Sequence, residues 1–75
     1  MMLECWINTK TRRYYKIAVY DDLLGDRILM RNWGSMDNKL GRVTYDLLLN
    51  AEQEQKKLQA IRKKRKGNNY KLFSQ

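Results

Sequence analysis

The sequence contains no histidine and no proline, and its only cysteine is Cys5. Without histidine the usual general base near neutral pH is missing, and no Cys/His set exists that could hold a structural zinc. A single cysteine cannot form an internal disulfide, so we expect Cys5 to be a small buried hydrophobe in a reducing compartment. The fold must then rest on one compact apolar core or on a partner.

Long apolar runs and phosphate-binding glycine motifs are missing as well. No stretch approaches the ~20 apolar residues that span a bilayer, and a signal peptide's positive and apolar regions are absent from MMLECWINTKTRR. The four glycines form neither a P-loop nor a dinucleotide fingerprint. Three aspartates surround Gly25, but the later ligands of a calcium-binding loop are missing, which favours a solvated turn. We therefore expect a cytoplasmic protein without catalytic activity, cofactor, metal site or membrane contact.

Positive charge is abundant. Sixteen Lys and Arg stand against eight Asp and Glu in 75 residues, which gives a net charge of +8 and a pI near 9.9. The excess is concentrated at 51–75, where eight basic residues accompany only two acidic ones. A length of 75 residues predicts one domain spanning 1–75, and the charge favours a polyanionic partner over a merely soluble surface.

The first half of the chain has the two-residue periodicity of β-strands. In residues 3–8, Leu3, Cys5 and Ile7 alternate with Glu4, Trp6 and Asn8, the pattern of a half-buried strand in which we expect Trp6 to pack. Three further strands are predicted at RYYKIAVY (13–20), RILMRNW (27–33) and RVTYDL (42–47). The last two are joined by a loop bounded by Gly34 and Gly41, so Trp33 is predicted to end its strand.

The second half changes to helical periodicity. Asn50 with Gln53 forms a capping-box pattern before an uninterrupted helix at 51–66, and Gly67 is expected to end it in the left-handed conformation. Ala51, Leu58 and Ile61 share one side of this helix. The sequence thus predicts an α+β fold, with an antiparallel sheet of about four strands and one C-terminal helix packed on one face. We expect residues 68–75 to return to the sheet edge.

Two basic clusters are candidate binding elements. Arg31, Lys39 and Arg42 flank Trp33, and an aromatic ring among cations at a loop can stack on a base or sugar while the cations hold phosphate. The run RKKRK at Arg62–Lys66 complements the dipole of the helix end. As a basic run it also suits a localisation signal or a membrane-surface patch. Because five consecutive positive charges exceed what a helix end requires, we favour contact with phosphates.

The order of these segments resembles the WGR domain. The resemblance covers roughly residues 8–73 and rests on NTKTRRYYKI, a Trp33-Gly34 pair, KLGRVTY, and a basic helix end followed by GNNY. The family occurs as a module of DNA-damage-responsive poly(ADP-ribose) polymerases and as small stand-alone bacterial proteins. The stretch DDLLGDRILMRNWGS is closest to the bacterial branch.

The resemblance implies an antiparallel sheet with a packed helix and a non-catalytic accessory module. In the polymerases the family tryptophan stacks at a DNA end and the following arginine contacts DNA and neighbouring domains. Trp33 and Gly34 match the first two letters of the motif, whereas Ser35 replaces the arginine. The resemblance therefore does not extend to the contacts that the family arginine makes.

Together these observations predict a nucleic-acid-binding module, for DNA and with little sequence preference, although phosphate contacts leave RNA open. The alternative is a protein-interaction module that binds an acidic partner. Arg13 and Lys16 are additional candidates for phosphate contact. The predicted binding residues are Trp33, Gly34, Arg31, Lys39, Arg42, Arg62, Lys63, Lys64, Arg65 and Lys66.

Overall fold

The computed structural model describes residues 2–74 and shows an α+β fold with one C-terminal helix and a five-stranded antiparallel sheet. Within this part of the chain, no helix has the length and hydropathy needed to cross a membrane. The spatial order of the strands is β4-β3-β2-β1-β5. The elements are β1 (Met2–Asn8), β2 (Arg13–Asp21), β3 (Arg27–Ser35), β4 (Gly41–Leu48), α1 (Ala51–Gly67) and β5 (Lys71–Ser74).

The fifth strand corrects the prediction of about four. The tail returns to the sheet edge as expected, but it forms backbone pairs with β1, including Trp6 with Leu72 and Ile7 with Lys71. Four residues are too few for the two-residue periodicity of a strand to be recognised in the sequence. It becomes one because the end of α1 delivers it beside the otherwise unpaired edge of β1, whose backbone groups need partners.

The strand β3 extends past Trp33 and Gly34 to Ser35, so the prediction that Trp33 ends its strand was wrong. Gly34 pairs with Tyr14 of β2 and with Gly41 of β4. Two glycines that pair across neighbouring strands let the ladder continue where the sequence suggests a loop. The connection between β3 and β4 is therefore the shorter segment 36–40.

The helix covers one face of the sheet, called here the helix face, and leaves the other, the open face, without a covering element. The core on the helix face consists of Trp6, Tyr15, Ile17, Val19, Leu29, Leu48, Leu58 and Ile61. In β1 the buried side chains are Glu4, Trp6 and Asn8. The periodicity of β1 is as predicted and Trp6 packs, but Cys5 is only half-buried on the open face, contrary to expectation. The large Trp6 ring sets which side faces the helix.

The start of the helix follows the sequence signal. The Asn50 side chain accepts a hydrogen bond from the Gln53 amide at 2.8 Å, and the Gln53 side chain accepts one from the Leu49 amide at 2.7 Å. These bonds satisfy backbone donors that the first helical turn leaves free. The second bond reaches one residue before the cap, a small variation on the capping box.

The end of the helix differs from the prediction. Gly67 is the last helical residue, and the left-handed residue is Asn69, with φ of 66°. The amides of Asn69 and Tyr70 donate to the carbonyls of Lys66 and Arg65, at 3.2 and 2.9 Å. This is the bonding pattern of a Schellman motif, in which asparagine is the usual substitute for glycine. The motif turns the chain towards β5.

Candidate nucleic-acid interface

Trp33 lies on the helix face, half-buried, and packs against the core. Its indole stacks on the Tyr15 ring of the neighbouring strand, with centroids 5.8 Å apart and planes inclined by 17°. The two residues are direct cross-strand partners, which places their side chains on the same face. One side of the Trp33 indole therefore packs against the core, while the rest of the ring borders a cleft.

This cleft, of about 240 Å³, lies at the end of the sheet beyond the helix. It is lined by Arg13, Trp33, Gly34, Ser35, Asn38, Leu40, Gly41 and Arg42. The strand register explains why two arginines line the cleft. Arg42 is the cross-strand partner of Trp33, and Arg13 is the cross-strand partner of Ser35. Two guanidinium groups from strands on either side of β3 thus border the indole. We call this feature the Trp33 cleft.

The lining of the Trp33 cleft contains no carboxylate, and within residues 2–74 neither Arg13 nor Arg42 forms an ion pair. Lys39 lies in the exposed 36–40 connection next to the cleft lining. The Ser35 hydroxyl accepts a hydrogen bond from the Asp37 amide at 3.1 Å and helps to hold this connection. The nearby acid, Asp37, is paired with Arg12 at 2.7 Å. The cleft is therefore positively charged.

Arg65 connects the end of α1 to Trp33. Its guanidinium lies over the Tyr15 ring at 4.2 Å and over the Tyr70 ring at 5.1 Å, both measured to the ring centroids. The other aromatic neighbour of Tyr15 is Trp33, which stacks on its ring. The two basic clusters predicted separately from the sequence are thus linked by one aromatic residue. Arg65 itself is half-buried, and its charge is held by cation–π contacts.

The other cations of Arg62–Lys66 point in different directions. Arg62 reaches β1 and donates to the Glu4 carboxylate at 2.6 Å. At about 100° per residue, Lys64 lies on the opposite flank of the helix from Arg62, towards β3. Lys63 points away from the sheet and is exposed, whereas Lys66 lines a cavity beside β1. Of the five, Lys64 and Arg65 are the ones directed towards the Trp33 side.

Two further candidate residues lie outside the Trp33 cleft. Arg31 is on the helix face, but its guanidinium is paired with Asp46 at 2.6 Å. Lys16 is on the open face, with its ammonium 5.3 Å from the Tyr14 ring centroid. The structure therefore brings Trp33 together with Arg13 and Arg42, and it separates Arg31, Lys16 and Arg62 from them.

Gly34 has a packing role rather than a turn role. A Cβ atom built at Gly34 would lie 3.0 Å from the Tyr14 hydroxyl oxygen, and one built at Gly41 would lie 2.8 Å from it. The Tyr14 side chain thus lies across both glycines on the open face. An aromatic ring that covers cross-strand glycines shields the backbone that they expose. This arrangement fixes the strand segment that carries Trp33.

A larger cavity, of about 700 Å³, lies on the other flank of α1 and is bordered by Glu4, Trp6, Arg62 and Tyr70. Its carboxylate is neutralised by Arg62, while Lys66 and Lys71 add positive charge at its rim. The smaller Trp33 cleft is the stronger candidate, because its two arginines form no ion pair within residues 2–74. The binding of an anion there would not compete with a buried carboxylate.

Tyr15 is the residue that the sequence reasoning missed. It falls within the predicted strand 13–20 but is not among the predicted binding residues, yet it contacts both Trp33 and Arg65. The strand register could have identified Tyr15, since the residue that pairs with Trp33 in an antiparallel hairpin must lie on the same face of the sheet as Trp33. Locating that partner requires the loop between β2 and β3 to be placed to the residue, and the predicted strand 13–20 stops short of Asp21, which pairs with Arg27 next to that loop.

Within residues 2–74, no three His, Cys, Asp or Glu side chains are grouped closely enough to hold a metal ion. Comparison with known proteins gave no relatives, because no family model matches the chain and neither a curated protein nor a solved structure is significantly similar to it.

Proposed function

We propose that this protein is a non-catalytic nucleic-acid-binding module that binds DNA with little sequence preference through the Trp33 cleft. The observation that carries the proposal is that Arg13 and Arg42, neither of them paired with a carboxylate of the described residues, line one cleft with a half-buried tryptophan. Cations hold phosphate oxygens without reading sequence. An aromatic face stacks on any base, which is also independent of sequence.

The surroundings of the cleft support the same function. Arg65 adds a charge that is fixed by Tyr15, and Lys64 lies on the flank of α1 that faces this side. Lys39 extends the basic surface along the 36–40 connection. A ligand lying along these groups would meet one stacking platform and several cations, the combination used for single-stranded segments and for ends.

The resemblance to the WGR domain points the same way. The Trp-Gly pair here borders the cleft, and Ser35 occupies the position of the family arginine and lines the cleft as well. We propose that Arg13, the cross-strand partner of Ser35, supplies the guanidinium that Ser35 lacks. Action in the cytoplasm is part of the proposal and fits the single cysteine.

Binding as a function of salt tests the function. If four to six phosphates are neutralised, the logarithm of the binding constant should fall with the logarithm of salt concentration with a slope of about −4 to −5 on duplex DNA. Mobility-shift titrations should compare blunt, nicked and single-stranded DNA with RNA at several salt concentrations. A slope near zero, or no binding in low salt, refutes the proposal.

A matched pair of variants localises the contact. Lys63 and Lys64 repeat Lys56 and Lys57 one heptad later on the same flanks of the same helix. We expect Lys63→Gln with Lys64→Gln to weaken binding and to lower the salt slope, while the pair at 56 and 57 has a smaller effect. Glutamine keeps helix propensity close to that of lysine. Equal losses in both variants would indicate a diffuse charge effect.

The open face supports a second candidate, a protein-interaction surface for an acidic partner. Tyr45 is 61% and Phe73 74% exposed, and Lys16 lies among apolar strand residues that include no carboxylate. An apolar protein contact would depend only weakly on salt, unlike phosphate contacts. Tyr45→Ser should then abolish partner binding but leave DNA binding intact.

A further inference from the structure

The strand β4 forms an edge of the sheet and is open along its outer side. It is eight residues long, contains no proline and keeps continuous register with β3. Its residues 41–45 are all exposed. The opposite edge, β5, has only four residues and a shifted register against β1. Short or irregular edges resist strand addition, whereas a long regular edge is a template for it.

The apolar and charged side chains of β4 are arranged so that a second strand could pair with its outer edge. Val43, Tyr45 and Leu47 lie on the open face and are 46%, 61% and 50% exposed. Arg42 and Asp46, of opposite charge, lie on the helix face at equal distances from Thr44. This spacing makes the edge complementary to itself.

We propose that β4 pairs antiparallel with β4 of a second copy of this chain, about a two-fold axis at Thr44, to form a continuous ten-stranded sheet. In this register Arg42 lies opposite Asp46 of the second copy, and Val43 lies opposite its Tyr45. Opposite charges and aromatic–β-branched pairs are the cross-strand pairs that stabilise antiparallel sheets. The two-fold axis makes each of these contacts twice.

Other registers lose the charge complementarity. An axis at Val43 places Arg42 opposite Thr44, and an axis at Tyr45 places it opposite Leu48. The axis at Thr44 is the one among these three that pairs each arginine with an aspartate. The charges thus select a single register, which an apolar edge alone does not do.

The intramolecular partner of Asp46 is compatible with this pairing. Asp46 accepts from Arg31 at 2.6 Å and remains partly exposed, with 33% of its side-chain surface accessible. A carboxylate can accept several hydrogen bonds. Asp46 would then be shared between Arg31 of its own chain and Arg42 of the second copy, so that no charge at the junction is left unpaired.

The dimer does not depend on the nucleic-acid proposal. A two-fold axis perpendicular to the sheet keeps both helices, and both Trp33 clefts, on the same face of the ten-stranded sheet. Arg42 borders the junction as well as the cleft, so Arg42 variants alter both and are read in self-association assays without nucleic acid. Variants at Thr44 and Tyr45 test the dimer without removing a charge from the cleft.

Charge reversal provides the first test. Arg42→Asp places two aspartates opposite each other at both ends of the junction, and Asp46→Arg does the same with arginines. Each variant alone should weaken self-association at least about tenfold in sedimentation velocity, because opposed like charges are costly. A mixture of the two variants restores both opposite-charge pairs and should form a heterodimer. Asp46→Asn controls for loss of the Arg31 contact.

Cysteine cross-linking provides the second test and fixes the register. In a Cys5→Ser background, Thr44→Cys places two cysteines opposite each other on the axis, and mild oxidation should give a disulfide dimer. Tyr45→Cys is the matched control, because the two cysteines would be diagonal, about 7–8 Å apart between Cα atoms, which is beyond disulfide reach. A Thr44→Cys disulfide with no Tyr45→Cys disulfide supports the proposal.

Three results would overturn the dimer. One is a wild-type chain that stays monomeric at high concentration while Thr44→Cys forms no disulfide. Another is equal cross-linking of both cysteine variants, which indicates random collision. The third is a mixture of the charge-reversal variants that remains as dissociated as each variant alone. The cross-linking result decides the matter even if Asp46→Arg fails to fold.

Discussion

The guanidinium of Arg62 and the carboxylate of Glu4 form a charge-assisted pair at 2.6 Å between α1 and β1, 58 residues apart in the chain. Glu4 is 4% exposed and also accepts a hydrogen bond from the Trp6 indole nitrogen at 3.2 Å. Burial raises the pKa of Glu4, but the hydrogen bonds from Arg62 and Trp6 and the charge of Arg62 outweigh it, so that the net pKa is lowered. The same pair raises the pKa of Arg62.

This pair predicts a pH-dependent contribution to stability. Because the folded-state pKa of Glu4 is lowered, its contribution is present above the unfolded-state value of about 4.3 and is lost as pH falls through the folded-state pKa. We expect Glu4→Gln to reduce the free energy of unfolding by about 1–3 kcal/mol at neutral pH. The difference from wild type should shrink below about pH 4. Urea denaturation across this range measures it.

Glu52→Gln is the control for Glu4→Gln. Glu52 pairs with Lys56 at 3.1 Å, but both side chains are more than 70% exposed. Surface pairs of this kind contribute about 0.3–0.5 kcal/mol, so Glu52→Gln should change stability little at any pH. If the two variants behave alike, the Glu4 pair does not join the helix to the sheet as described.

The two cross-strand glycines predict different responses to alanine. An added Cβ at Gly41 would lie 2.8 Å from the Tyr14 hydroxyl oxygen and 3.3 Å from one backbone atom, the Trp33 carbonyl oxygen. At Gly34, besides the same hydroxyl, two backbone atoms of Leu40 and Gly41 lie closer, at 3.1 and 3.2 Å. A hydroxyl at the end of a side chain moves more easily than backbone. We expect Gly41→Ala to be destabilising by about 1 kcal/mol and Gly34→Ala by more.

Removal of the Tyr14 hydroxyl separates these two cases. In a Tyr14→Phe background, Gly41→Ala should become less destabilising, because the closest atom is gone and the looser contact with the Trp33 carbonyl oxygen at 3.3 Å remains. Gly34→Ala should remain destabilising, since its backbone contacts persist. Thermal melts of the single and double variants form a double-mutant cycle that measures the coupling. Equal rescue of both glycine variants would contradict this assignment.

Trp33 should affect both stability and binding. Because it is half-buried and stacks on Tyr15, we expect Trp33→Ala to lower the free energy of unfolding by about 2 kcal/mol, less than the range for a fully buried ring. At a temperature where the variant is folded, nucleic-acid binding should weaken by about 1–3 kcal/mol. Trp33→Phe keeps an aromatic ring and should retain most of both. A folded Trp33→Ala variant with unchanged affinity would exclude the cleft as the site.

Ser35→Arg tests the cleft by addition of charge. Ser35 ends β3 and lines the cleft, so an arginine there brings a five-donor group beside Trp33. We expect tighter DNA binding and a salt slope steeper by about 0.9, the equivalent of one phosphate. Ser35→Gln is the uncharged control. No change in affinity or slope would show that this end of the sheet does not touch nucleic acid.

The local elements could be predicted because their signals are short-range. Residues 13–20 alternate clearly, and the structure has a strand at Arg13–Asp21. The Asn50–Gln53 cap lies three residues apart and forms as expected. The other predicted boundaries lie within one residue of the observed ones, apart from the end of β3, which lies two residues further along the chain. These features depend on backbone propensity and on nearest neighbours alone.

The tertiary structure decided which groups meet. The sequence of β1 has one wholly apolar side, yet the side with Glu4 and Asn8 is buried, because Arg62 and the carbonyl of Asn68 provide partners for them. Those partners come from α1 and its C-cap, far along the chain. Burial of a polar group is tolerable only where its hydrogen bonds are satisfied, and a periodic pattern carries no information about such distant partners.

At the candidate site, too, the sequence indicated the residue types and the tertiary structure decided which of them lie together. Composition and the Trp33-Gly34 pair pointed to the residues around the Trp33 cleft, and the basic run at Arg62–Lys66 gave the second cluster. Only the fold separated the members of that run, since successive residues on a helix are rotated by about 100°. Strand register then placed Tyr15 and Arg13 beside Trp33. The charge was fixed by the sequence alone, whereas its convergence on one indole required the pairing of β2, β3 and β4, because cross-strand neighbours are set by hydrogen bonding between distant segments.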